Sequence, residues 1–125
     1  MLDFIKLTVK TNGSGAGNVS ATVPTHGILR AVEWIDGDFD NGVDAVLSFT
    51  SQNSGVSKTL LTLTNADNDA WYYPMQAAHD DTGTTVTYDG TNEIYMPPVI
   101  SGTLSLSVTS GGSEKTGSCV IYFDR

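Results

Sequence analysis

The chain has 125 residues, fourteen acidic and six basic, with a net charge of −8, one cysteine and two histidines. That length fits one domain, 1–125, able to bury roughly two thirds of the surface of its unfolded chain. One cysteine excludes an internal disulfide. The bases (Lys6, Lys10, Arg30, Lys58, Lys115, Arg125) are scattered, so nucleic acid, which draws on clustered cations, is not an expected partner.

The start, Met1 to Lys6, lacks the basic and apolar regions of a secretory signal. No apolar run reaches the length of a membrane span. The expectation is a chain made in the cytoplasm, with no membrane partner. Thr, Ser and Gly number 16, 12 and 13. They are interleaved with Val, Ile, Leu and aromatics at strand spacing, which predicts an ordered β domain and not a disordered tract.

Period-two alternation dominates and no helical period is present. A strand over about 2–10 puts Ile5, Leu7 and Val9 on one face. A Gly-rich loop, 11–17, leads to Val19, Ala21 and Val23, and Pro24-Thr25-His26-Gly27 ends that run. Ile28 to Ile35 is apolar on both faces; simple alternation groups Ile28, Val32 and Trp34 against Leu29, Ala31 and Ile35. After the acidic turn 36–42 come strands ending near Phe49 and over 58–64. The aromatic segment 70–75 follows, with Trp71 and Tyr73 on one face and Tyr72 on the other.

Residues 76–98 are the least regular, with strand signals only at 84–88 and 93–96. A recognition loop is expected there, since irregular loops on β scaffolds commonly carry binding. Leu104, Leu106 and Val108, a Gly/Ser turn, and Cys119, Ile121 and Phe123 read as a closing hairpin that echoes the first two strands. The fold class is all-β, a single antiparallel β-sandwich of about eight or nine short strands. Jelly-roll, tulip-like and immunoglobulin-like orders all fit.

Catalytic groups are sparse. Asp36, Asp38, Asp40, Asn41 and Asp44 offer oxygens at alternate positions, but Asn41 and Leu47 stand where a helix-flanked calcium loop needs Gly and Glu. Asx residues and Gly are also ordinary turn chemistry, and the turn is the expected reading. His79-Asp80-Asp81 and His26 lack the partners of a zinc centre, and no Gly-x-Ser-x-Gly is present. Cys119 alternates with core residues and is read as a small hydrophobe. The expectation is no enzyme, no metal and no cofactor. Binding residues are sought among Ile28, Trp34, Trp71, Tyr72, Tyr88 and Tyr95, the apolar and aromatic side chains best placed for subunit contact, shell contact or sugar stacking.

At Leu7 to Gly15, Val32 to Asp38, Trp71 to Pro74 and Lys115 to Gly117, the chain resembles small β-rich virion proteins of tailed bacteriophages, among them head decoration (cement) proteins and neck or tail fittings. The resemblance implies a structural protein located in the virion. It also implies a homotrimer, and as partner the major capsid protein or another virion neighbour. A carbohydrate-binding β-sandwich module is the alternative from a different class.

Overall fold

The computed structural model describes residues 1–23 and 26–125, so the Pro24-Thr25 part of the turn after the second strand lies outside the described residues. Among the described residues eleven strands form in chain order: β1 (Leu2–Lys10), β2 (Gly17–Thr22), β3 (Gly27–Ile35), β4 (Asp44–Thr50), β5 (Ser57–Leu63), β6 (Ala70–Tyr72), β7 (Gln76–Ala77), β8 (Tyr95–Met96), β9 (Val99–Ile100), β10 (Thr103–Thr109) and β11 (Thr116–Asp124). Two antiparallel sheets face each other. The first runs β1-β11-β3-β6, with β9 also on β3, and the second runs β2-β10-β4-β5.

The chain crosses between sheets at almost every connection, and the strand order is that of a jelly roll. This removes the tulip-like and immunoglobulin-like orders. The Gly/Ser turn after β10 does not close a hairpin, because β10 and β11 lie in different sheets. It carries the chain across the sandwich, aided by left-handed backbone at Ser110, Gly112 and Glu114. The loop after β1 makes the same crossing, and the two connectors bond to each other. Gly111 N donates to Gly15 O at 2.9 Å, and Thr11 Oγ1 donates to Gly112 O at 2.6 Å. The echo between the chain's ends is therefore two neighbouring crossovers, with β1 paired to β11 and β2 to β10.

Alternation fills the space between sheets with Leu7, Val9, Leu29, Val32, Trp34, Leu47, Leu104, Leu106, Ile121 and Phe123, among others. Strand β3 departs from simple alternation. Phe123 faces Leu29 but Tyr122 faces Ala31, so Arg30 is an extra residue, a bulge in the ladder. The bulge inverts the phase ahead of it: Leu29 points into the core with Val32 and Trp34, and Ile28 points out. A strict period-two reading misplaces Ile28 and Leu29 for that reason.

On the far side of β3, β6 pairs with residues 32–34 and β9 with Gly27 and Ile28. One edge position is thus shared by two short strands. Residues 73–98 leave the sheet between them as an arm.

Candidate interaction surface

The two outer faces have opposite chemistry. On the second sheet, Ser20, Ser48, Thr62, Ser105 and Ser107 face outward around a single exposed apolar residue of β4, Val46, and Ser105 Oγ donates to Asn18 Oδ1 at 3.1 Å. On the first sheet, the register sets Phe4 beside Tyr122, and Tyr122 beside Ala31. Trp71, one strand further on, reaches Tyr122 over the short Ala31 side chain. The ring centroids are 6.2 Å apart for Phe4 and Tyr122, and 5.5 Å for the stacked Trp71 and Tyr122. Tyr122 Oη donates to Glu33 Oε1 at 3.3 Å. Arg30 pairs with Asp124, and Arg125 with Asp3 at 3.0 Å, at the margin. Leu2, Ile28 and Val99 extend the apolar area.

The arm is expected from sequence to be irregular, yet it is internally bonded. Ala78 N donates to Ile94 O, Ile94 N to Val86 O, and Val86 N to Ala78 O, at 2.8, 3.1 and 2.9 Å. Three segments, spaced eight residues apart, close a ring of backbone bonds in which each holds the other two. Asp80 Oδ1 accepts from Thr82 N, Thr82 Oγ1 and Thr84 N, and Asp89 Oδ1 accepts from Thr91 N and Asn92 N. These Asx staples fix the two turns. Lys58 donates to Gln76 Oε1, tying the base of the arm to β5. Tyr73, Met75, Tyr88, Tyr95 and Met96 project outward.

Four of the residues sought as binding groups lie on this surface: Ile28, Trp71, Tyr88 and Tyr95, exposed by 42, 51, 70 and 60 %. Tyr72 turns inward and packs on the core, as alternation requires. Trp34 is a correction. It is only 1 % exposed, stacks on Phe39 and donates Nε1–H to Ala66 O at 3.0 Å, so it touches no partner. Phe4 and Tyr122 were absent from the sought set. The signal was present, since each alternates with an inward residue (Ile5, Phe123) and so must face out.

The acidic turn is built of backbone caps. Asp38 Oδ1 accepts from Thr116 N, Asp44 Oδ1 from Asn65 N, Asp67 Oδ1 from Gly42 N and Asp69 Oδ1 from Asp36 N. Desolvation, then the charges of Asp67, Asp69 and Asp38, raise the Asp36 carboxyl above its ordinary value. Gly37 has φ +61°, and a Cβ there would meet Thr116 O at 2.1 Å, so the turn needs glycine. Asp80 serves as a turn staple beside the exposed His79. Among the described residues no three His, Cys, Asp or Glu gather as metal ligands. Cys119 is buried, and burial pushes its thiol up to about 12, so it is no nucleophile near neutral pH.

No family model and no curated protein matches the chain. Among solved structures, it is similar to CBM32-3 from a family 31 glycoside hydrolase of Clostridium perfringens, with TM-score 0.47 and 8% identity, covering 98% of this chain and 75% of that one. It is similar to the protein of the giant freshwater prawn Macrobrachium rosenbergii extra small virus VLP, with TM-score 0.27 and 8% identity, covering 100% and 79%. A third is from the infectious bursal disease virus Gx strain, with TM-score 0.35 and 10% identity, covering 98% and 40%.

Proposed function

We propose that the chain is a bacteriophage virion structural protein, a head decoration (cement) protein that binds the assembled shell and stabilises it; a neck or tail position is the alternative. One observation carries the reading. Apolar and aromatic side chains are held outward on a pre-bonded arm and on one sheet face, while the opposite face carries mostly hydroxyls around Val46. Large exposed apolar patches on soluble domains mark association sites. An arm ordered by its own backbone bonds loses little further entropy on docking. Binding only the assembled state stabilises it by linkage, and repeated contacts add through multivalency. The acidic exterior keeps the free protein soluble before assembly. No bond-making chemistry is part of this reading.

The test is binding to purified expanded shells. The pair Tyr88→Ala and Tyr95→Ala, both exposed, is expected to weaken binding about tenfold or more with the melting temperature kept, since aromatic anchors each contribute about 1–2 kcal/mol. Wild-type protein that ignores shells, necks and tails alike sinks the proposal.

Trp71 favours a second reading, a carbohydrate-binding module. One face of its ring lies on Tyr122, and the residue is half exposed beside the Glu33 carboxylate. That reading predicts saturable glycan binding, abolished by Trp71→Ala in a folded protein. A glycan panel with no saturable binding removes it.

A further inference from the structure

Among the described residues, strand β1 forms an edge of the first sheet and pairs with β11 alone. Its nine pairs run without a register shift, and it contains no proline. The other edges are short or interrupted: β2 has six residues, β6 three and β9 two, and the β5 ladder is bulged. Long edges are ordinarily blunted by such devices, because a row of free amides and carbonyls is a template for another strand. β1 lacks them.

The parity of the free groups can be read from its ends. Met1 N donates to Arg125 O, Arg125 N donates to Met1 O, and Thr11 N donates to Lys115 O. Odd-numbered residues therefore turn their backbone groups toward β11. In an antiparallel ladder the even-numbered ones, Leu2, Phe4, Lys6, Thr8 and Lys10, must turn theirs outward. The same end of the strand exposes the side chains of Met1, Leu2 and Phe4.

We infer that β1 pairs antiparallel with β1 of a second copy, with Ile5 on the two-fold axis, joining two first sheets into one. Only registers that match even with even residues make the bonds. Lys6 on the axis would set two ammonium groups opposite each other. Phe4 on the axis would leave both Thr8 and Lys10 unpaired, and Leu7 on the axis would leave the exposed Leu2 outside the seam. With Ile5 on the axis, Phe4 faces the partner's Lys6 and Leu2 faces the partner's Thr8. The Lys6 stem then covers the exposed Phe4 ring, and its charge lies by an aromatic face. Phe4 N–H, held in the free chain by Asp3 Oδ1 at 2.8 Å, passes to the partner's Lys6 carbonyl, and Asp3 keeps Arg125. The two Phe4–Tyr122–Trp71 rows meet across the seam as one apolar surface. The symmetry is two-fold, in place of the three-fold that the virion resemblance implies.

Sedimentation velocity of the full chain, across a hundredfold range of concentration, is expected to show a species of twice the chain mass. Lys6→Pro removes one outward N–H and no bond to β11, a position where an edge strand tolerates proline; it should be monomeric with its melting transition kept. Ile5→Cys should cross-link to itself under mild oxidation, because directly opposed residues of a non-bonded pair have Cα atoms about 4.5 Å apart, within disulfide reach. Thr8→Cys, off the axis, should not. A wild-type monomer at every concentration overturns the inference. So does self-association that persists in a folded Lys6→Pro chain, or cross-linking at position 8 but not 5. If Lys6→Pro fails to fold, the two cysteine variants still decide. Shell binding is scored separately: a paired chain that ignores shells sinks the virion reading alone, and a monomer that coats them sinks the pairing alone.

Discussion

Trp34 and Trp71 sit opposite each other's neighbours across the β3–β6 ladder, and one step of parity separates their fates. Trp34 points between the sheets, where its ring stacks on Phe39 at 5.9 Å and its indole N–H is paired with a buried carbonyl. Trp71 points away from the core onto the aromatic row. Trp34→Phe loses volume and strands the Ala66 carbonyl, and should cost about 2–4 kcal/mol. Trp71→Phe should stay within about 0.5–1 kcal/mol, as surface changes do. Urea unfolding followed by far-ultraviolet dichroism measures both. Equal losses at the two positions would contradict the placement of these residues. Iodide should quench only Trp71 in the native wild type.

At the scale of the element, the arm stands or falls with its two Asx staples. The Thr82 hydroxyl, then the backbone N–H groups of Thr84 and Thr82, hold the Asp80 carboxyl below its ordinary 3.8. The N–H groups of Asn92 and Thr91, followed by the Asn92 side chain, do the same for Asp89. A carboxyl whose pKa is lower in the folded state contributes stability that is complete above 3.8 and is lost as pH falls through the folded value. Asp36 acts in the opposite sense. Its pKa is raised by desolvation first and then by the charges of Asp67, Asp69 and Asp38, so it takes up its proton more readily in the folded chain than in the unfolded one. Acid should therefore loosen the arm ahead of the sandwich. Protection of the Thr82, Thr84, Thr91 and Asn92 amides, taken relative to the unfolded-chain rate at the same pH, should fall below pH 3.8 while Leu106 and Ile121 stay protected. Protection lost everywhere at once would show that the arm has no separate stability.

This arm is also where the sequence was least legible. Strands such as β1, β4, β10 and β11 announce themselves because each must bury every second side chain, and Leu104, Leu106 and Val108 do. The arm buries almost nothing, so period-two patterning has no core to record. Its order comes from the backbone ring at Ala78, Val86 and Ile94, to which side-chain identity is nearly blind. The Arg30 bulge escaped for a related reason, since both phases of Ile28–Ile35 are apolar and neither identifies the inward face. Pairing of β10 with β2 and β4 rather than β11 depends on where a Gly/Ser connector points, which composition does not encode.

For the molecule as a whole, charge and apolar area pull against each other. Each copy carries a net charge of −8, so two copies repel at distances beyond any contact. Local charge at β1 has the other sign, with Lys6 and Lys10 on the strand and Asp3 engaged by Arg125. The attraction that brings two edges together is backbone pairing and apolar burial, neither of which salt weakens. Added salt shortens the reach of the net repulsion to about 8–10 Å near 0.1–0.15 M. Self-association should accordingly strengthen as sodium chloride rises from low to moderate concentration, read as a fall in the dimer dissociation constant by sedimentation. A complex held by ion pairs, or by lysines on a phosphate backbone, would respond in the reverse direction and fall apart. Weakening of the dimer on added salt would mean that charge pairs, not the β1 edge and the face around Phe4 and Tyr122, hold the copies together.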